Sequence, residues 1–462
     1  MPKPKAKSNS ALSLTTLHPN AAGADIGARE IYVAVPPDRS TPSVRCFGTF
    51  TDQLRALVTW LRECRIDTVA MEATSVYWIP LAELLEDAKI EVCLVNPRHV
   101  KNVPGRKTDV QDSQWLQYLH SVGLLRGAYR PPAEVRPIRV LWRHRDALVR
   151  QSTWQIQHIH KAFDQMNVQV HHVIADITGA TGTAIVEAII AGQRDPAQLA
   201  ALRDKRLRAD VPTLTRALTG DYRAEHLFCL QQAYDGYKFV RTQIVAVETE
   251  VHRLQAALCP PAAAVPVAAA PAVQPAATPE RKGRRVGGKN APGFPVTALL
   301  RQLCGVDLTT IPGLSAPTLQ GLWSELGHSL ASFPTAKHFV SWLSLCPDNR
   351  ISGGRTLSVG TRATANRVAR LLRVAAQGVG HAHNEIGDFH RRMRARLGGA
   401  AAITATAHKL ARIFYACLRS KQPYDPAQHD LNTPQRRATT IGKLRAKAQK
   451  LGFQLVELQP AI

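Results

Sequence analysis

Before residue 121, short β-rich runs and helical periodicities follow one another in an order that few folds accommodate. Ala21–Ile26 and Ile31–Val35 read as strands joined by a hairpin at Gly27-Ala28-Arg29-Glu30, and Ser43–Phe50 supplies a third strand. Thr51 then caps a helix running through Cys64, with Leu54, Leu57, Val58 and Leu61 at helical spacing. Asp67–Ala73 reads as a buried strand, Val76–Asp87 as a helix, Glu91–Asn96 as a strand and Asp109–Ser121 as a helix. The order β-β-β-α-β-α-β-α is a meander followed by two crossovers, which are right-handed in nearly all parallel connections.

That topology predicts a ribonuclease H-like (RuvC-like) α/β domain over residues 21–130, behind a flexible stretch at 1–20. Residues 131–258 read as helical. Leu230, Ala233, Tyr237, Val240, Ile244, Val247, Val251, Leu254 and Leu258 step by three and four, the seam of a coiled coil. Its partner is the basic helix Ala133–Ala162 of the same chain, a second copy, or both. Residues 259–295 form an Ala/Pro-rich linker with a basic end, 296–420 a mostly helical C-terminal domain, and 421–462 a loosely attached basic tail. Within that C-terminal domain, helices are expected at Leu299–Cys304, Pro317–Gly327, Thr335–Leu345, Ala363–Gly378 and Ile403–Leu418, with Cys346–Gly360 irregular between them.

Charge narrows the function. Fifty-nine Lys and Arg against 35 Asp and Glu leave +24 at pH 7, an excess that repels itself on a surface unless a polyanion is near. Nucleic acid is the commonest such partner, ahead of an anionic membrane surface. No unbroken apolar run reaches a membrane span, and Met1–Asn20 has no apolar signal core, so a cytosolic or nucleoid location is expected without a membrane partner. Eight scattered cysteines form no C-x-x-C pair, which argues against a zinc site and a disulfide framework.

Four carboxylates carry the strongest chemical signal. Asp25 lies in the first strand, Glu72 near the end of the fourth, and Asp109 and Asp112 are three apart on one face of the last helix. In the expected sheet the first and fourth strands are neighbours and the helix packs beside them. Two unit charges ~4 Å apart at an effective dielectric of ~20 repel by about 4 kcal/mol, so a converged set calls for protons or cations. Oxygen-only ligands suit Mg2+ or Mn2+, and two such ions can clamp the attacking and leaving oxygens of a phosphodiester. The alternative is that each acid caps a strand end or favours a helix N-terminus.

The flanks of these acids carry a resemblance. Ala24-Asp25-Ile26-Gly27, Met71-Glu72-Ala73-Thr74 with Tyr77, Val95-Asn96-Pro97, and Lys107-Thr108-Asp109-Val110-Gln111-Asp112 resemble the DEDD tetrad blocks of transposases of the insertion sequence 110 family. Ser113 stands where that family often has Ala. Beyond the linker, Ile311-Pro312-Gly313-Leu314-Ser315-Ala316 resembles a helix-hairpin-helix turn, with Ser315 in place of the second Gly. It serves either as a packing turn or as a contact to the DNA backbone. Leu345–Arg355, containing Ser352-Gly353-Gly354, is similar to the family's C-terminal block without its leading Gly. From Arg350 to Arg396 there are ten Arg and only two acids, Glu385 and Asp388, as a phosphate-facing surface requires.

The resemblance implies a DNA transposase or recombinase in which Ser352 attacks DNA to form a phosphoserine link, with Asp25, Glu72, Asp109 and Asp112 as metal ligands, probing both donor and target DNA. It also implies a dimer or tetramer, with the acids of one subunit meeting Ser352 of another, and a structured bridge RNA that pairs with the DNA. Arg355 and Arg362 are expected to stabilise the phosphorane, and Arg98, Lys107, Arg143, Arg350 and Arg367 to hold nucleic acid. Two rivals remain: a Holliday-junction endonuclease using metal-activated water, and a nucleic-acid scaffold without activity. Weaker motifs are Thr178–Gly182, read as a helix start rather than a phosphate loop, and His381-Ala382-His383-Asn384-Glu385, read as a solvated helix face. Trp142 and Trp154 are read as core residues, with base stacking as the alternative.

Overall fold

A computed structural model describes residues 15–73, 75–96, 109–259, 290–426 and 433–456. The chain divides into two compact units, Met1–Arg130 and Pro131–Ile462.

The first unit follows the expected order: β1 (Ala21–Ile26), β2 (Glu30–Ala34), β3 (Val44–Gly48), α1 (Thr51–Glu63), β4 (Thr68–Glu72), α2 (Trp78–Asp87), β5 (Glu91–Val95) and α3 (Asp109–Ser121). The sheet order is β3-β2-β1-β4-β5. β2 runs antiparallel to β1 and β3, whereas β4 runs parallel to β1 and β5. β1 and β4 are covered on both faces, as parallel strands with crossover helices must be. Leu57, Leu61, Met71, Leu81 and Leu85 fill the core beneath α1 and α2. One local expectation fails: Phe50, not Thr51, occupies the N-cap of α1, and it supplies no capping hydrogen bond.

α3 sits almost on the backbone of β1. A Cβ at Gly23 would lie 2.3 Å from the Gln117 amide nitrogen and 2.4 Å from the Ser113 carbonyl oxygen, so only glycine permits this approach. Gln117 Nε2 donates to the Ala21 carbonyl at 3.2 Å, and the buried His120 Nε2 bonds Thr68 Oγ1 at 2.9 Å. Burial, followed by the neighbouring His18, lowers His120 to about 4, so it is a neutral packing residue near pH 7.

In the second unit, α4 (Arg136–Gln165) and α8 (Ala224–Leu258) pack lengthwise. Phe163 meets the Leu230 end, Leu148 packs with Val240 and Ile244, and Arg145 pairs with Glu248, so the helices are antiparallel. The α8 seam therefore packs on α4 of the same chain. Val251 keeps the expected register, but around it Glu248 and Gln255 are buried while Val247, Leu254 and Leu258 are only partly so. Polar pairing explains this burial, since Arg145 Nε reaches Glu248 at 2.6 Å and Gln255 Nε2 reaches Gln320 Oε1 at 3.0 Å. Between the long helices, α5 (Ala180–Ile190), α6 (Pro196–Ala201) and α7 (Val211–Ala217) close one end through Ile185, Ile189, Leu199 and Leu214. A Cβ at Gly182 would lie 2.2 Å from the Ile177 carbonyl oxygen, so the Thr178–Gly182 glycines serve a helix start and close packing.

Beyond the linker, most of which lies outside the described residues, come α9 (Val296–Cys304), α10 (Ala316–Leu326), α11 (Ala336–Trp342), β6 (Arg350–Ser352), β7 (Arg355–Ser358), α12 (Arg367–Val379), α13 (Glu385–Leu397), α14 (Gly399–Ser420) and α15 (Thr433–Lys450). The segment expected to be irregular thus contains a β-hairpin, and part of the expected loose tail is the helix α15. His381 and His383 lie in the turn before α13, whose N-cap is Asn384, and not on a helix. Among the described residues no helix is long and apolar enough to cross a membrane.

Candidate active site

The parallel register pairs Ala24 with Met71, which leaves Asp25 and Glu72 as the next residues along two adjacent strands. Both are half-buried at the C-terminal end of the parallel strand pair, the side on which open α/β sheets place their ligands. α3 crosses β1 at Gly23, and its first turn carries Asp109 and Asp112. Asp25 feels all of this. Burial, then the charges of Asp109, Asp112 and Glu72, raise its carboxyl from the usual range to about 6, against a hydrogen bond from the Ile26 backbone.

The donor set is therefore oxygen-only and places several carboxylates within electrostatic reach of Asp25, the chemistry a hard divalent cation fits. Among the described residues no three His, Cys, Asp or Glu side chains already stand grouped as a closed ligand set. Asp25 and Glu72 share a strand end, and Asp109 and Asp112 on α3 act on Asp25 through their charges. Ser113 is fully buried beneath this cluster, and its Oγ donates to the Val110 carbonyl of its own helix at 2.9 Å. A hydroxyl satisfied within one turn explains why serine is accommodated there.

Ser352 ends β6 and is paired in register with Arg355 across a two-residue turn. Gly353 and Gly354 both have positive φ, 54° and 74°, the requirement of a type I′ hairpin turn. The glycines beside the serine are thus dictated by turn geometry as well as by lack of bulk. Ser352 and Arg355 are both exposed, as are Ile351 and Leu357. Asp348 N donates to the Gly360 carbonyl at 2.6 Å, and Arg362 Nη2 donates to the Ser341 carbonyl at 2.6 Å, tying the hairpin base to α11.

The expected nucleic-acid-binding residues separate into groups. Arg98 and Lys107 lie outside the described residues, and for Arg350 only the strand position is described. Arg355 pairs with no carboxylate among the described residues, and the same holds for Arg370 and Arg373 on α12. Arg143 and Arg367 instead meet Glu325 of α10, a residue the sequence reading passed over. Glu325 accepts from Arg143 Nε and Nη2, both at 2.7 Å, from Arg139 Nε at 2.8 Å, and lies 3.1 Å from Arg367 Nε. Arg367 also pairs with Asp146. Burial alone would raise Glu325, but the bonds from Arg143 and the charges of Arg139 and Arg143 outweigh it and hold the carboxyl low. The network fixes α4, α10 and α12 together. Only the i,i+4 spacing of Arg139 and Arg143 signalled it in the sequence.

A family model described as a transposase, the DEDD type of IS110, matches residues 22–168. A second, described as Transposase IS116/IS110/IS902 family, matches residues 307–391. The chain belongs to the insertion sequence 110 family of transposases. The first match spans Asp25, Glu72, Asp109 and Asp112 and continues through α4; the second spans the Ile311–Ser315 turn, the serine hairpin and α12. Together they cover about half of this transposase. No curated protein matches it. The transposase is an enzyme whose substrate is DNA.

Proposed function

We propose that this transposase cuts and rejoins DNA by transesterification, with Ser352 as nucleophile and a ribonuclease H-like domain supplying the acids. The placement of Asp25 and Glu72 on adjacent parallel strands, with α3 seated on Gly23, carries the reading. Asp25, Glu72, Asp109 and Asp112 would hold Mg2+ or Mn2+, two ions in the fullest form, which would neutralise the phosphate and polarise its oxygens. Ser352 Oγ gives up its proton and forms a bond to phosphorus while the bond to the leaving sugar oxygen breaks and that oxygen takes up a proton, so protons balance across the step. Arg355, exposed beside Ser352 in the hairpin register, stabilises charge on the phosphorane oxygens. A phosphodiester survives in the serine link, so rejoining needs no external energy source.

Arg370 and Arg373 on α12 and the arginines of α13 favour a phosphate backbone as ligand. A structured bridge RNA pairing with donor and target would supply sequence choice, and assembly of two or four copies would let acids and serine from different subunits meet. Sequencing nucleic acid that co-purifies with the chain tests the guide: one discrete RNA supports it, and random fragments refute it. Ser352→Ala tests the nucleophile. Loss of all strand cleavage, together with loss of a denaturation-resistant protein–DNA adduct, is expected. Continued cleavage would show metal-activated water at work instead, as in a junction endonuclease.

A further inference from the structure

The two tryptophans of α4 have opposite fates. Trp142 is 4% exposed with the Arg145 guanidinium 4.6 Å from its ring centroid, whereas Trp154 is 55% exposed. Trp154 borders a groove of about 350 Å³ between α4 and α8, in the part of the second unit farthest along the pair from Arg145 and Glu248. Phe228, 67% exposed, faces the same groove from α8. His158 packs edge-on against the Trp154 ring, with centroids 4.0 Å apart at 62°. The remaining lining includes Lys161 and the amides of Gln155 and Gln232, with no carboxylate among the lining residues.

This mixture excludes several occupants. Exposed aromatic faces are costly to leave in water, yet the wall lacks the aliphatic side chains of a helix-docking groove. Amides and an ammonium without an opposing acid suit a ligand carrying a flat apolar face, hydrogen-bonding edges and a negative charge. An unpaired nucleotide has all three. A base-paired duplex presents phosphates on its outside and keeps its base faces stacked, so it would use the lysine but not the rings.

We propose that this groove binds an unpaired nucleotide of a DNA strand, the base stacking on Trp154 and Phe228, its edge meeting Gln155 or Gln232, and the adjoining phosphate meeting Lys161. The proposal rests only on the chain acting on DNA and goes beyond the strand-cleavage reading, because these residues lie apart in sequence from the acids and from Ser352. Its use would be to hold a base released from pairing while strands are exchanged.

The test measures fluorescence anisotropy of a labelled 15-nucleotide thymidine oligomer, and of a labelled 15-base-pair duplex, with the full chain at one salt concentration. Trp154→Leu and Phe228→Ala are each expected to weaken single-strand binding about tenfold and duplex binding less than twofold. Trp154→Phe, which keeps an aromatic face, retains single-strand binding within about threefold. Both sites are exposed, so these variants fold, as circular dichroism would check. Asp25→Asn, inactive under the strand-cleavage reading, binds the oligomer as the parent does, so either idea can fail alone. Equal losses on single strand and duplex, or no loss on the single strand, would each overturn the proposal.

Discussion

Asp25 carries a charge that the fold itself opposes. Its carboxyl is raised to about 6, first by burial and then by Asp109, Asp112 and Glu72, from an ordinary value near 4. The folded chain therefore binds this proton more tightly than the unfolded chain. The stability it contributes is fully present below about pH 4 and is lost as pH rises through about 6. Asp25→Asn should remove that slope: without divalent ions the variant should melt higher than the parent at pH 8 and no higher at pH 4, by differential scanning fluorimetry, while losing strand cleavage. Added Mg2+ should raise the melting temperature of the parent at pH 8 and leave that of the variant nearly unchanged. The four acids were visible in the sequence because they sit in short motifs at fixed positions along regular elements. Glu325 was not. It is one acid on an apolar helix, and its importance comes from Arg139, Arg143 and Arg367, which reach it from two other helices. Converting Glu325 to Gln leaves those guanidiniums without their shared anion and should cost up to about 3–5 kcal/mol in urea unfolding, lessened by the partial exposure of Arg143.

At the scale of elements, the seat of α3 on β1 decides whether Asp109 and Asp112 lie near Asp25. Gly23→Ala would drive a methyl into backbone atoms of Gln117 and Ser113, which cannot yield as a flexible side chain would. Destabilisation of about 1–3 kcal/mol is expected, with a loss of cleavage larger than the unfolded fraction explains. Ser113→Ala, in the same interface, should change stability by less than about 1.5 kcal/mol, because the lost hydroxyl bonds only its own helix. The strand and helix order of this unit was legible because period-2 and period-3.6 runs alternate cleanly between glycine, proline and polar breaks. The hairpin β6–β7 was not, since its residues are exposed and supply no hydrophobic alternation; Gly353-Gly354 was its only local mark. The register of α8 was read correctly along Leu230, Ala233, Val240, Ile244 and Val251 and lost where buried polar residues replace apolar ones.

Across the whole molecule, the two matched segments are separated by the stretch that holds α5, α6, α7, α8 and α9. α4 and α8 run antiparallel, so the chain leaves α4 and returns to α8 at the same end of the pair. The Asp221 amide donates to the Met166 carbonyl at 2.8 Å, and a Cβ on Gly220 would lie 2.4 Å from that same oxygen, closing the excursion at its base. Residues inserted or removed within the excursion therefore leave the far ends of both helices where they were. The helical pair acts as a mast whose top can be refitted without moving its foot: a foreign module grafted between α6 and α7 would change what the tip meets and leave the Arg145–Glu248 end of the pair untouched.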